Sequence, residues 1–167
     1  MRKKKSYYFL GFLFLIFSFV TIYELRFANY IIGKDYMWVL LILIVCVATD
    51  VGGYIFGKIF KGPKLTKLSP NKTYAGMAGG YILSLIVLSI SFHFFKLELS
   101  IEWLFFTLLI SSVSQLGDII ISYFKRLSKI KDTGKIIPGH GGLLDRVDGM
   151  IFAFPFAYII ILTGFFV

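Results

Sequence analysis

Residues 122–148 read SYFKRLSKIKDTGKIIPGHGGLLDRVD, the one long polar run in the second half of the chain. Its charged side chains are Lys125, Arg126, Lys129, Lys131, Lys135, Arg146, Asp132, Asp145 and Asp148, and His140 lies between two glycines. Cations balance phosphate charge, glycines let backbone N–H groups approach oxygens, and aspartates bind divalent metals. The run therefore predicts a phosphate site. The segments on either side of it are apolar enough to lie in a bilayer, so the polar run itself must lie outside the bilayer.

The composition around this run is that of an integral membrane protein. The 167 residues are 57% hydrophobic and only 16% charged, which is too apolar for a soluble domain of this size. A bilayer core about 30 Å thick needs about 20 apolar residues per helix. Five segments fit, at residues 7–23, 36–56, 76–95, 103–123 and 149–167, with polar loops at 57–75 and 124–148. We predict an all-α, polytopic transmembrane bundle with a single domain over residues 1–167.

The basic residues predict the orientation of this bundle. The net charge is +9, and of 18 basic residues only Arg26, Lys34 and Lys96 fall outside residues 2–5, 58–72 and 125–146. These three groups lie at one end of the alternating spans, so the positive-inside rule places them and the N-terminus in the cytoplasm. The pattern favours a lipid bilayer as partner, in a bacterial inner (plasma) membrane, and argues against nucleic acid.

Two predicted spans contain a carboxylate near their cytoplasmic ends, Asp50 and Asp118. An acid within a span costs about 2.5–3.5 kcal/mol, so it faces the bundle interior or a water-filled cavity. Asp118 belongs to a polar stripe on one helical face, formed by Ser111, Gln115, Asp118 and Ser122. Hydrogen bonding between helices is the alternative explanation for the serines and the glutamine.

The loop at residues 57–75 contains five lysines and no acid. Attraction to anionic lipid is the simplest explanation, worth about 1 kcal/mol per cation. Lys72 is the most distinctive of the five, because it follows a turn at Ser69, Pro70 and Asn71 and precedes Thr73. Ammonium, hydroxyl and helix N-terminus can there converge on one anion.

The acidic residues favour magnesium as the cofactor. Asp118, Asp145 and Asp148 supply hard oxygen ligands without a nearby thiolate or histidine pair, which favours Mg²⁺ over zinc. A second metal ion is left open. A magnesium-bound polyphosphate beside basic residues is the apparatus of phosphoryl or nucleotidyl transfer. A phosphate monoester is mostly deprotonated at neutral pH, so His140 is not needed as a base. Its alternatives are a hydrogen-bond donor to phosphate, an orienter of the metal ligands or a structural turn residue.

The order S-x-x-K-R-x4-K-D-x-G-x2-I-P-x-H-G-G-L-x-D-R-V-D in residues 122–148 resembles the signature of the phosphatidate cytidylyltransferase (CDP-diglyceride synthetase) family. The likeness extends more loosely over residues 45–150. It implies a magnesium-dependent condensation of CTP with phosphatidate to CDP-diacylglycerol and pyrophosphate. With the residue patterns above, it implies catalytic roles for Lys125, Arg126, Lys131, Asp132, His140 and Arg146, substrate-binding roles for Ser69, Lys72, Ser122, Gly141, Gly142 and Asp50, and metal-binding roles for Asp118, Asp145 and Asp148.

The sequence also departs from the family pattern. Ala75 and Ile121 stand where the family commonly has glutamate, and the N-terminal half has fewer spans. Two other functions are left open. One is a CTP-dependent lipid kinase of the polyprenol type, which would release CDP instead of pyrophosphate. The other is a degenerate, non-catalytic membrane protein that binds anionic lipid through its lysine loops. A homodimer is left open as well.

Overall fold

The structure, a computed structural model, describes residues 2–27, 36–66, 72–130, 133–134, 142 and 144–164, with side chains excepted at residues 2–8 and at Arg146. Its helices in chain order are α1 (Arg2–Phe27), α2 (Met37–Phe60), α3 (Tyr74–Phe95), α4 (Ile101–Leu127), α5 (Leu144–Val147) and α6 (Met150–Leu162). Within the described residues, four helices are long and apolar enough to cross a membrane, at Phe9–Phe27, α2, α3 and α4. The predicted all-α transmembrane bundle is confirmed.

The helices differ from the predicted spans mainly at their ends. α2 continues to Phe60 and α4 to Leu127, because a helix that leaves the hydrocarbon core ends at a turn and not where hydropathy falls. The last predicted span, residues 149–167, corresponds to the shorter α6, which begins at Met150; the separate helix α5 and turns at Asp148 and Gly149 precede it. α6 has 13 residues, or about 20 Å of helix, which is shorter than a bilayer core.

Glycines allow α2 and α3 to pack closely at their polar ends. A Cβ atom at Gly52 would clash with the carbonyl oxygen of Gly79, and one at Gly76 would lie 2.7 Å from the carbonyl oxygen of Gly53. Apolar burial does not drive helices together in lipid, so such close backbone contact supplies much of the association energy. These glycines fix the position of α3 relative to α2.

Aromatic residues pack at the opposite end of the bundle. Trp38 on α2 lies 5.1 Å from Trp103 on α4, and Phe92 on α3 lies 5.0 Å from Trp103, measured between ring centroids. All three side chains are buried.

α6 packs against α1 and α4: the Ser18 hydroxyl donates to the carbonyl of Ile151 at 2.9 Å.

The polar ends of four helices meet at the end of the bundle away from the tryptophans. The C-terminal halves of α2 and α4 lie beside the N-terminal ends of α3 and α5, and residues from all four line one cavity. This end carries Asp50, Asp118, Asp145 and Asp148.

Candidate nucleotide and lipid-phosphate site

The cavity between these helices has a volume of about 290 Å³ and a mixed polar and apolar lining. Its lining residues are Thr49, Asp50, Gly53, Tyr54, Leu65, Lys72, Thr73, Gly76, Met77, Gln115, Asp118, Ile119, Asp145 and Asp148. The structure thus brings together the two intramembrane acids and two acids of the polar run, which are up to 98 positions apart in sequence.

Lys72 reaches across the cavity from the start of α3 to α4. Its ammonium forms an ion pair with Asp118 Oδ2, and the Ser122 hydroxyl donates to Asp118 Oδ1 at a long 3.4 Å. Thr73 is the N-cap of α3, and its side-chain oxygen accepts from the Gly76 N–H at 3.1 Å. Within the chain, the hydroxyl caps the helix and the ammonium pairs with an acid, and the convergence of both groups on one anion stays a prediction.

Lys125, in the last turn of α4, connects the end of that helix to both acids of the α5 region. Its Nζ lies 3.0 Å from Asp145 Oδ1 and 3.6 Å from Asp148 Oδ2. All three side chains are largely buried, with 9% to 13% of their surface exposed. Lys125 thus supplies positive charge between two carboxylates that line the cavity.

Asp145 is well stabilised as an anion. Burial by itself would raise the pKa of Asp145, but hydrogen bonds from the Gly142 and Thr133 N–H groups and from Lys125 outweigh it and lower the pKa to about 2. The N–H donors lie 2.8 Å and 2.9 Å from Asp145 Oδ2. Asp145 is therefore charged at any physiological pH.

Asp148 is in the opposite electrostatic situation. Burial raises its pKa to about 7, the negative charge of Asp118 raises it as well, and Lys125 and the Gly149 N–H lower it only in part. The Asp148 side chain is 10% exposed. Lys125 compensates the charge of Asp148 only in part, so a bound cation would further stabilise its ionised form.

The donor set of the cavity fits Mg²⁺. Mg²⁺ is usually held by one or two carboxylates together with water and substrate phosphates. Asp118 and Asp148 line one cavity, and the negative charge of Asp118 raises the pKa of Asp148. Within the described part of the chain, no three acidic, thiol or imidazole side chains form a cluster that would enclose an ion by themselves.

The polar stripe on α4 divides between packing and cavity. Ser111 accepts a hydrogen bond from the Thr49 hydroxyl of α2 at 2.9 Å, and it is fully buried. The Gln115 amide nitrogen lies 3.4 Å from the Ser111 hydroxyl and 3.5 Å from the carbonyl of Met77, and Gln115 also lines the cavity. The alternative explanation, interhelical hydrogen bonding, therefore holds for Ser111. Gln115 makes a long interhelical contact and also contributes, with Asp118, to the cavity wall.

Other predicted site residues are placed differently or fall outside the description. Arg126 is exposed and donates to the carbonyl of Ile130 at 3.4 Å, away from the cavity lining. The Gly142 N–H, expected to approach a phosphate, donates to Asp145 instead. Ser69, Lys131, Asp132, His140 and Gly141, with the side chain of Arg146, lie outside the described residues.

Several lining residues were not singled out as site residues by the sequence. Thr49 and Tyr54 line the cavity. Thr49 and Tyr54 flank Asp50 by one and four positions, so a search of the same helical end around an intramembrane acid would have found them. Leu65 and Met77 carry no polar signal, and only the fold places them here.

Comparison with known proteins identifies the family. The family model described as the cytidylyltransferase family matches residues 1–163. The chain belongs to the cytidylyltransferase family. This match covers nearly the whole chain, including every lining residue of the cavity.

Curated relatives of this cytidylyltransferase-family chain are named phosphatidate cytidylyltransferase. Those of Staphylococcus saprophyticus and Staphylococcus aureus are 38% and 37% identical over 148 and 150 residues, or 87% and 88% of this chain. That of Staphylococcus haemolyticus is 43% identical over 128 residues, or 75% of this chain. The matched regions are 54%, 55% and 49% of the relatives' own lengths, so the chain spans about half of each.

Proposed function

We propose that this chain carries the catalytic cavity of a phosphatidate cytidylyltransferase, which joins CTP to phosphatidate and releases pyrophosphate. The observation that carries the proposal is the convergence of Asp118, Asp148 and Lys72 on one cavity at the polar end of a membrane bundle. The names of the curated relatives support the choice of substrates. The departures at Ala75 and Ile121 lie outside the cavity lining, which further favours a working site.

The chemistry requires positioning and charge neutralisation. A phosphate oxygen of phosphatidate attacks the α-phosphorus of CTP, the bond to the oxygen of the β-phosphate breaks, and pyrophosphate leaves. The attacking oxygen is mostly ionised at neutral pH, so no side chain has to remove a proton. Lys72, which lines the cavity, and Lys125, which pairs with two of its acids, would balance the negative charge that develops on the leaving group. Asp118 and Asp148 would hold Mg²⁺, which neutralises the triphosphate when bound.

The apolar lining gives the lipid a place beside the nucleotide. Leu65, Met77 and Ile119 line the same cavity as the charged groups. Tyr54 also lines it and is 68% exposed. The cavity opens at the end of the membrane helices, where a phosphatidate headgroup would lie. Polar and apolar walls within one cavity suit a reaction between a water-soluble nucleotide and a lipid phosphate.

The same proposal includes an orientation. The cavity end carries Lys58, Lys64 and Lys125, and the opposite end carries Arg26 and Lys96 among the described residues. The positive-inside rule then places the cavity, and the N-terminus of the chain, on the cytoplasmic side. For a bacterial relative this is the cytoplasmic side of the plasma membrane, where CTP is available.

The test is product formation by the purified chain in mixed micelles of detergent and phosphatidate with labelled CTP and Mg²⁺. CDP-diacylglycerol and pyrophosphate are expected in equal amounts. Asp118→Asn should lower the rate by at least about 100-fold, as for loss of a metal-dependent step. Glu102→Gln, which makes the same change at the other end of α4, should not. Release of CDP with a phosphorylated lipid would instead indicate the kinase, and equal rates for both variants would refute the proposal.

A further inference from the structure

The Asp145 carboxylate is already engaged on both oxygens. Oδ1 accepts from Lys125 Nζ at 3.0 Å. Oδ2 accepts from the N–H groups of Gly142 at 2.8 Å and Thr133 at 2.9 Å. Charge-assisted hydrogen bonds of this length are strong, and together they satisfy the anion before any ion binds. A metal ion at Asp145 would have to displace Lys125 or lie against its ammonium.

Asp148 has a much weaker set of partners. Its Oδ1 accepts from the N–H of Gly149 at 2.9 Å. Its Oδ2 lies 3.6 Å from Lys125 Nζ, which is an ion pair beyond hydrogen-bonding distance. Two neighbouring carboxylates of the same run thus differ in their partners: Asp145 accepts three hydrogen bonds within the chain, and Asp148 accepts one and retains more capacity to bind a cation.

The donors to Asp145 also mark a tight backbone contact. A Cβ atom at Gly142 would lie 2.5 Å from Thr133 Oγ1 and 2.8 Å from the Gly134 nitrogen. Residues 133–134 and Gly142 therefore touch, and Asp145 Oδ2 bonds to one N–H on each side of the contact. Removal of this one oxygen would leave both N–H groups without their acceptor.

We infer that Asp145 is a positioning residue: it holds residues 133–134 against Gly142 and fixes Lys125 beside Asp148, and it is not a ligand of the divalent ion. This departs from the sequence expectation, which placed Asp145 with Asp118 and Asp148 as metal-binding. The inference rests on the proposed function for the identity of the ion. The anchoring role stands on the hydrogen bonds alone.

The first measurement is hydrogen–deuterium exchange of the full chain, resolved to single amides. Thr133 is exposed and lies outside the helices, so without Asp145 its amide would exchange as fast as in an unstructured peptide. In the unaltered chain we expect the Thr133 and Gly142 amides to be protected at least about tenfold. Asp145→Ala, which removes both acceptor oxygens, should remove that protection and leave the α2–α3 amides, an internal check of folding, unchanged. Fast exchange at both amides in the unaltered chain would overturn the inference, and this result does not depend on any variant folding.

The second measurement is binding of Mn²⁺, used as the probe without nucleotide, to the unaltered chain, Asp145→Asn and Asp148→Asn. We expect Asp148→Asn to weaken binding by at least about tenfold and Asp145→Asn by less than about threefold. Equal losses in the two variants would overturn the inference. If the unaltered chain binds no Mn²⁺, the metal component of the proposed function fails, and the exchange measurement decides the anchoring role by itself.

The third measurement asks whether Asp145 acts through Lys125. CTP affinity is compared for Asp145→Asn, Lys125→Met and the double variant. If Asp145 serves to place the Lys125 ammonium, Asp145→Asn should lower the CTP affinity in the unaltered background. In the Lys125→Met background, the fold-loss of CTP affinity on Asp145→Asn should be at least about threefold smaller. Additive effects would overturn this part of the inference. A chain that binds no CTP would count against the proposed function, and the exchange and Mn²⁺ results would still decide the role of Asp145.

Discussion

Lys72 and Asp118 form an ion pair that joins the start of α3 to α4 across the cavity. Their side chains are 25% and 29% exposed, so the pair lies at the boundary between protein and solvent. An ion pair with this exposure contributes about 0–1 kcal/mol to stability. From its location on the cavity wall we therefore expect this pair to matter more for ligand binding than for holding the helices together.

The first prediction concerns Lys72. Lys72→Met should weaken CTP binding by about tenfold or more, because an ammonium that can turn to a phosphate is lost. The thermal unfolding midpoint should change little. Titration of CTP into the purified chain measures the affinity. The matched control is Lys64→Met, since Lys64 is an exposed lysine of the same loop whose backbone pairs with Thr73. Equal affinities for the two variants would assign Lys72 to generic surface charge.

The glycine contact between α2 and α3 gives a second prediction. Gly52→Ala should destabilise the fold by about 1–3 kcal/mol, because its Cβ would meet the Gly79 carbonyl oxygen and lie 2.8 Å from Leu83 Cβ. Gly11→Ala in α1 is the control, since a Cβ there has nothing within 4 Å. Thermal unfolding in detergent should separate the two variants. An equally stable Gly52→Ala chain would show that the helices can move apart without cost.

A third prediction concerns the buried hydrogen bond between α2 and α4. The Thr49 hydroxyl donates to the Ser111 hydroxyl at 2.9 Å and also lies 2.8 Å from the carbonyl of Val45. A double-mutant cycle of Thr49→Val and Ser111→Ala should give a coupling of about 0.6 kcal/mol, the average for such bonds in membrane proteins. Reversible unfolding in mixed micelles measures it. A coupling near zero would mean that Thr49 is satisfied by its own helix.

Hydropathy and charge were sufficient to predict the helices and which ends carry the polar groups. The bilayer requires every backbone group in a span to be bonded internally, so long apolar runs have few structural options. Hydropathy was less informative at residues 144–150, where α5 ends and α6 begins after a turn. Local polarity there allowed either a continuous helix or a break.

The cavity was partly predictable for a different reason. Asp50 and Asp118 are costly within a span, and this cost alone predicts that they face a common interior. The partners of Asp145 were not predictable, because two of them are backbone N–H groups at Thr133 and Gly142. Every residue other than proline has such a group, so nothing in the side-chain sequence distinguishes these two.

The final prediction is a pH dependence of stability in the absence of divalent cations. Burial, and next the charge of Asp118, raise the pKa of Asp148 from an ordinary value of 3.8 to about 7 in the folded chain. Between these values the folded chain binds a proton that the unfolded chain releases. Stability should therefore be greatest at the acidic end of this range and fall as pH rises through about 7. Asp145, with its pKa lowered to about 2, stays charged throughout and does not contribute.

The test is thermal unfolding of the unaltered chain and of Asp148→Asn with a chelator present. The pH is varied from about 4.5 to about 8, which covers most of the range between the two pKa values of Asp148. The variant should have the flatter profile, because a neutral amide replaces a buried acid that must ionise. Glu102→Gln is the control, since Glu102 is exposed at the other end of α4. Addition of Mn²⁺ at the alkaline end should restore stability only in chains that retain Asp148, because the ion then compensates the carboxylate charge. Parallel profiles for the unaltered chain and Asp148→Asn would mean that another group dominates the pH dependence.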